Sequence, residues 1–344
     1  MATAVCSSTD RKFLPAACLA LKTAADRTGR RADVAYFLFA DESVSESDLE
    51  NARQFLDGDH PRVNLVPDHG IDLTIYDTRE RPIKPGFYRL HYHEYLSPEY
   101  TRIVHIDADM RVEKSLVDLV RVDLAGRPLG AVHDLPLYAR LCVQPERAIA
   151  GLTPEGRFFS SGLIVIDRTH GDALPSLTRA QKLLRDPECV FPFEDQTALN
   201  VAFDDNWRPI DPRWNLNDYL YRAMVENDPI ISHFTSVKPW QAERSSDLDD
   251  FARWYADQTA NSPWPDFVEP RTNTQDYAKV WWKTVRRNAL LYKIQRFLRF
   301  MRSKQSVRRD YLIATGKLKQ VYDLMVSEAA GTGVLPDNPQ GCFE

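Results

Sequence analysis

Ile103-Val104-His105-Ile106-Asp107-Ala108-Asp109 decides the reading of this chain, because a mostly apolar run leads directly into two carboxylates separated by one residue. Apolar runs of this kind, without polar alternation, mark strands covered on both faces. Both aspartates then fall at the C-terminal end of a strand, the edge at which open α/β sheets bind ligands. Carboxylate oxygens suit a hard divalent cation such as Mg²⁺ or Mn²⁺ that also holds phosphates. Asp-x-Asp alone is also compatible with a solvated turn or a helix cap.

Working outward, short β-rich runs alternate with helical patterns. Upstream lie Ala4-Val5-Cys6, a helical stretch over 14–25, Val34 to Phe39, a helical stretch over 45–56, Leu73-Thr74-Ile75 and a helical stretch over 87–96. Downstream come Leu129 to Val132, Gly162 to Ile166, Arg208-Pro209-Ile210 and Pro229-Ile230-Ile231, with a helix over 194–203 among them. This order predicts an α/β fold, a Rossmann-like and mostly parallel sheet flanked by helices. Strand signals stop near Ala242, and Ser262-Pro263-Trp264-Pro265 reads as a linker preceding helices. The expected division is a catalytic domain over 1–245 and a helical, basic and aromatic C-terminal region over 246–344.

Composition narrows the class. The 344 residues are 43% hydrophobic and 27% charged, which excludes disorder across the whole chain. No uncharged stretch approaches the roughly 18 residues of a membrane-spanning helix, and the polar start Ser7 to Lys12 is unlike a signal peptide. A cytoplasmic protein is therefore expected. Five cysteines without a Cys-x-x-Cys pair read as free thiols. The net charge of -5 hides an asymmetry: Tyr277 to Arg309 carries 11 Lys or Arg and no acid, which leaves 33 basic against 49 acidic side chains elsewhere. Two parts so different in charge are expected to prefer different partners.

Three further segments join the aspartate pair. Phe158-Phe159-Ser160-Ser161-Gly162 puts small residues ahead of a buried strand, where a ligand can approach the backbone. Phe193-Glu194-Asp195-Gln196 is an acidic helix start, and Ile230-Ile231-Ser232-His233 places an imidazole just past a strand and five residues before Lys238-Pro239-Trp240. In this order the segments resemble the retaining glycosyltransferases of family 8, with a GT-A fold, of the bacterial lipopolysaccharide galactosyl- and glucosyltransferase type. The likeness spans about residues 1–240.

The resemblance implies an activity: a hexose, glucose or galactose, moves from a UDP-sugar to a saccharide acceptor, with Mn²⁺ (or Mg²⁺) bridging the two phosphates. It implies Asp107, Asp109 and His233 as metal ligands and Lys238 as a phosphate-binding residue. Charge that develops on the leaving diphosphate is stabilised there by metal and ammonium instead of a proton donor. The same likeness assigns Asp10, Arg89, Ala108, Asp134, Ser160 and Ser236 to the donor, and Gln196 with Asp195 to the reacting carbon. An amide is a poor nucleophile, which favours front-face displacement, while the Asp195 carboxylate is the rival. Five of these residues also have an ordinary structural role: an N-cap for Asp10, a helix-surface arginine for Arg89, helix-terminus complementarity for Asp195, a core histidine for His233 and a surface charge for Lys238.

The chain departs from the family at several positions. Lys12 and Phe13 stand where an Asn and a Tyr are usual, Ser160 replaces Asn, and Ser236 replaces a glycine in a loop one residue shorter than the family's usual spacing. His91-x-His93 falls in a helical pattern and reads as structural, and His105 has no usable spacing. In 281–309 the apolar residues recur at three and four, so this stretch is expected to be an amphipathic helix. It either lies on an anionic membrane surface, attaching the protein to the inner face of the cell membrane, or packs on the catalytic domain. It contains no groove-reading motif, so nucleic acid is not expected as a partner. The enzymatic alternative is a sugar-1-phosphate nucleotidyltransferase, against which stands the lack of a glycine-rich phosphate loop. A non-catalytic, membrane-associated carbohydrate-binding module on the same fold is the second alternative.

Overall fold

The computed structural model describes residues 2–57, 63–67, 70–73, 76, 84–134, 157–186, 189, 194–217, 228–235, 237–244, 248–272, 290 and 317–331. Its centre is a seven-stranded sheet of order β3-β2-β1-β4-β7-β6-β8. These strands are β1 (Ala2–Thr9), β2 (Val34–Ala40), β3 (Val63–Val66), β4 (Tyr100–Ile106), β6 (Leu129–His133), β7 (Phe159–Asp167) and β8 (Arg208–Pro209). Neighbours pair in parallel except at β7, which runs antiparallel to both β4 and β6.

Period-two alternation explains the two layers that cover this sheet. Val5, Leu38, Val104 and Val165 pack on one face with helices α1 (Leu14–Thr28) and α2 (Glu46–Leu56). Ala4, Cys6, Phe37, Phe39, Ile103 and Ile164 pack on the other. The helices there include Ala173–Arg185 and Glu194–Phe203. Helix α2 starts at Ser45 with a capping box, whose hydroxyl receives the Asp48 N–H while the Asp48 carboxylate receives the Ser45 N–H.

A second sheet of three short strands joins β5 (Met110–Val112), β10 (Ile231–His233) and β9 (Leu216–Asn217). Antiparallel pairing of β10 with β5 sets His233 opposite Met110. Parallel pairing of β10 with β9 sets it opposite Asn217. Residues distant in sequence are thereby brought to one end of the large sheet.

Four expectations need correction. The outer strand is Val63–Val66, whereas Leu73 has no regular structure and packs with Tyr76 and Phe87; Thr74 and Ile75 lie outside the described residues. The helix read over 87–96 is broken into Lys84–Phe87, a 3-10 turn over Tyr88–Leu90, and Tyr92–Tyr95. The break lets Arg89 turn inward, where only 6% of it remains exposed. His233 ends a strand instead of following one. Finally, a helix over Asp249–Thr259 precedes the Ser262 to Pro265 stretch, packing Phe251 and Tyr255 on Phe234, Trp240 and Leu19. This aromatic cluster crosses the expected division at residue 245.

Cys6, Cys18 and Cys189 are free thiols. Cys142 and Cys342 lie outside the described residues, as does nearly all of 277–309. The helix Lys317–Ala329 returns to the sheet, burying Tyr322 and Met325.

Tyr255 is wholly buried, and its hydroxyl has no hydrogen-bond partner among the described residues. Tyr255→Phe should therefore be neutral or stabilise by about 1 kcal/mol, since a buried donor without a partner costs about that much. Denaturant melts of the two chains check this, and a loss above about 1 kcal/mol would reveal a bonded hydroxyl.

Candidate active site

The turn between β4 and β5 carries the aspartate pair. Asp107 N–H donates to Gly162 O at 2.9 Å, extending the β4 to β7 pairing by one residue. The N–H of Phe234 donates to Asp109 O at 3.0 Å, which locks the end of β10 to the same turn. Asp107, Asp109 and His233 each present a ligand atom, and these atoms all lie within 4.8 Å of one another. His233 Nε2 is 3.2 Å from Asp109 Oδ1 and 3.7 Å from Asp107 Oδ2. Two carboxylate oxygens and an imidazole nitrogen make a donor set that fits Mn²⁺ or Mg²⁺.

Gly162 makes room for this convergence. A Cβ there would lie 2.4 Å from His233 Cε1 and 2.9 Å from Asp107 Oδ2, so any larger residue would push these side chains apart.

Cations and neutral donors balance the acidic cluster. Arg89 donates from Nη2 to Asp107 Oδ1 at 2.7 Å, and from Nη1 to Ser161 O at 2.6 Å and Ser161 Oγ at 2.9 Å. Its Nε lies 3.2 Å from Asp195 Oδ2, an ion pair without hydrogen-bond alignment, since that oxygen has no hydrogen-bond partner. Lys238 Nζ donates to Asp109 Oδ2 at 2.5 Å and to the Phe234 carbonyl. Burial opposes charge on Asp109, but the Lys238 ammonium holds its carboxyl far below the usual carboxylate range. Burial acts likewise on Asp107, where Arg89 and a hydrogen bond from His105 keep the group ionised. The side chains of Asp107 and Asp109 stay 24% and 15% exposed, leaving a route to solvent and ligand.

His105 was unreadable from spacing, yet it serves the site. It shares the sheet face of Asp107, two residues on, and its Nε2 is 3.0 Å from Asp107 Oδ1. Burial, with Arg89 adding to it, pushes His105 down to about 4, so the imidazole is neutral. A carboxylate cannot donate, so Nε2–H donates to Asp107 and Nδ1 accepts from Tyr92 Oη–H at 3.1 Å. Asp107 Oδ1 is thus held by two donors, and Oδ2 faces His233.

Gln196, Asp134 and Ser160 connect to the same network. Gln196 accepts the Ser161 N–H at 2.9 Å on Oε1 and donates from Nε2 to Asp134 Oδ2 at 3.0 Å. Ser160 Oγ receives a bond of 3.0 Å from Asn215 Nδ2, whose own Oδ1 lies 2.7 Å from His233 Nδ1. Asn215 sits in a 3-10 turn and carried no sequence signal. Asp10 stands apart from this network: its Oδ1 accepts the Phe13 N–H at 2.8 Å within the turn that leads into α1, whose N-cap is Phe13 itself. His91 is structural, bonded at 2.6 Å to Tyr76 and at 2.8 Å to Glu94. Ser236 lies outside the described residues.

Burial pushes the Asp195 carboxyl up to about 6, with Arg89 opposing. A raised acid stabilises the fold in its protonated form, fully below the unfolded value near 3.8, and that contribution is lost as pH rises through about 6. The side chain is 18% exposed, so water moderates the effect. In metal-free protein, Asp195→Asn should gain on the order of 1–3 kcal/mol over the native chain at neutral pH and little near the unfolded value. Urea titrations at the two acidities check this, and an equal difference at both would exclude burial as the cause.

Comparison with known proteins follows the same outline. The sequence profile of Glycosyl transferase family 8 matches residues 9–244. Lipopolysaccharide 1,3-galactosyltransferase of Salmonella typhimurium is 23% identical over 190 residues, 52% of this chain and 55% of that protein. General stress protein A of Bacillus subtilis is 25% identical over 177 residues, 46% of this chain and 60% of that protein. Neither relative is spanned over two thirds of its own length. The crystal structure of the galactosyltransferase LgtC with donor and acceptor sugar analogues superposes with a TM-score of 0.63 at 18% identity, over 77% of this chain and 99% of that one. That likeness shows the fold, a large central sheet flanked by helices of the GT-A type.

Proposed function

The chain belongs to glycosyltransferase family 8, and from that premise we propose that it transfers glucose or galactose from a UDP-sugar to a saccharide or glycolipid acceptor with retention at the anomeric carbon. The observation that carries this reading is the convergence of Asp107, Asp109 and His233 beside the Lys238 ammonium. A divalent ion held by these three, Mn²⁺ or Mg²⁺, would act as a Lewis acid on the departing diphosphate.

The chain's own groups supply the remainder. Lys238 brings a positive charge beside Asp109, where a phosphate can share it. Arg89 joins Asp107, Asp195 and the Ser161 carbonyl, so one guanidinium orients the cation side and the sugar side together. Ser161 and Asp134 hold the Gln196 amide in place, and because an amide is a poor nucleophile its position favours front-face attack over a covalent intermediate. Asp195 is the rival nucleophile. Asp134 and Ser160 are proposed to meet the transferred hexose, Asp10 the uracil edge, and Ala108 and Ser236 the nucleotide and phosphates.

Names of two relatives, the galactosyltransferase above and the lipopolysaccharide 1,2-glucosyltransferase of Escherichia coli, support a lipopolysaccharide-type acceptor. A screen of nucleotide sugars for hydrolysis and transfer, with Mn²⁺ or a chelator, tests the donor. Asp109→Ala should lower the rate by at least about 10³-fold while circular dichroism stays unchanged. Full activity of that variant in chelator would remove the metal role.

We propose a catalytic domain over 1–245 against which the helices Asp249–Thr259 and Lys317–Ala329 of the region 246–344 pack, with 277–309 resting on an anionic surface at the inner face of the membrane. Among the described residues no helix is long and apolar enough to cross a bilayer. Replacing Lys293, Arg296, Arg299 and Arg302 by Ser in the full chain should weaken its binding to phosphatidylserine vesicles at least tenfold, at about 1 kcal/mol per basic residue. Unchanged co-sedimentation would favour the packed alternative.

A further inference from the structure

We propose that Asn215 is a positioning residue for the cation site, holding His233 in the tautomer whose Nε2 is left open to a metal, and coupling that imidazole to Ser160. The inference rests on the metal reading of Asp107, Asp109 and His233 and adds a residue to it.

Backbone pairing brings Asn215 to the site. It precedes β9 directly, and β9 pairs in parallel with β10 so that Asn217 lies opposite His233. Only 2% of Asn215 and 5% of His233 remain exposed, so each polar atom there must find its partner within the protein. Asn215 uses both ends of its amide: Nδ2 donates to Ser160 Oγ at 3.0 Å, which turns Oδ1 toward His233 Nδ1 at 2.7 Å. A carbonyl oxygen can only accept, so the proton between them belongs to Nδ1.

This bond opposes a competing one. On the far side of the ring, Nε2 is 3.2 Å from Asp109 Oδ1, a carboxylate that draws the imidazole proton to the nitrogen a metal must use. Lys238 blunts that pull by bonding the other Asp109 oxygen at 2.5 Å. The shorter, enclosed contact with Asn215 then decides the tautomer in favour of Nδ1–H. The same amide fastens Ser160, so a shift of His233 on metal binding is transmitted to the residue proposed to meet the sugar.

Histidine-selective ¹⁵N NMR on the metal-free full chain tests the inference directly, with the His233 signals identified by His233→Gln. Well above the imidazole titration range, the native chain should show Nδ1–H. Asn215→Leu should move the proton to Nε2, and Asn215→Asp, which still accepts from Nδ1–H, should restore the native pattern. Asn215→Ala reads the same signal if the leucine variant does not fold. Mn²⁺ binding followed by electron paramagnetic resonance should weaken about 10–100-fold in Asn215→Leu. A His233 tautomer unchanged by loss of the amide would overturn the proposal. Failure of the native chain to bind Mn²⁺ would instead overturn the metal reading, while the tautomer shift would still decide the role of Asn215.

Discussion

Like charge held at close quarters is the constraint on which this structure depends. Asp107 and Asp109 point at one imidazole, with Asp195 close behind on the same guanidinium. Unscreened carboxylates at such separations repel strongly in a partly buried setting. Arg89 and Lys238 take up that repulsion from opposite sides, and each also grips the backbone, at Ser161 and Phe234. Cation placement therefore fixes the geometry of the acidic cluster before any ligand arrives, which is how a site becomes preorganised. The strands contribute register: Gly162 opposite Asp107, and His233 opposite Met110. A slip of one residue in β10 would send the imidazole to the opposite face.

How much of this was legible in the sequence depends on what set each feature. Strands buried on both faces announce themselves: β2 and β6 were read nearly to their ends, whereas β1, β4 and β7 were found by their apolar centres and extend two or three residues beyond them, and helix α2 was marked by its Ser45 start. The segment 84–95 was misread because its aromatic spacing serves packing of Tyr76, Phe87, Tyr88 and Tyr92 under the sheet, with no continuous helix required. The Asp107 and Asp109 pair was readable from its place after a buried strand, and His233 joined it through the family resemblance. Their supports were less so. His105 could have been suggested by its place two residues before Asp107 on a strand, where side chains share a face. Asn215 had no such signal, since its partner is brought to it only by strand pairing over a long separation.

Placement also separates the roles of the two neighbouring residues Asp195 and Gln196. Both begin the same helix, yet one carboxylate is poorly solvated and faces Arg89, while the amide is bonded at both ends to Ser161 and Asp134. Ser160 extends the contrast. Its hydroxyl accepts from Asn215, whose other end meets His233, so the start of β7 is tied to the cluster of Asp107, Asp109 and His233.

The helix Lys317–Ala329 shows why the end of the chain belongs in any account of this site. Glu328 pairs with His133 at 2.6 Å and with Arg157 at 3.2 Å, and Arg208 reaches the Ala329 carbonyl at 3.1 Å. Burial opposes charge on Glu328, but His133 and then Arg157 keep it below the usual carboxylate range. His133 stacks edge-on against Trp207, and the next residue is Asp134, the partner of Gln196. Met325 joins the core that also contains Val132 and Ile210. The side chains of Glu328 and His133 are 9% and 4% exposed, so removing the carboxylate leaves His133 buried without its hydrogen-bond partner, at a cost of about 1–3 kcal/mol. The edge of the sheet that carries Asp134 is thus completed by a segment almost two hundred residues further along the chain. A cut at residue 245 would remove that cover, so the part before it and the helix after it are bound together at the strand that leads into Asp134.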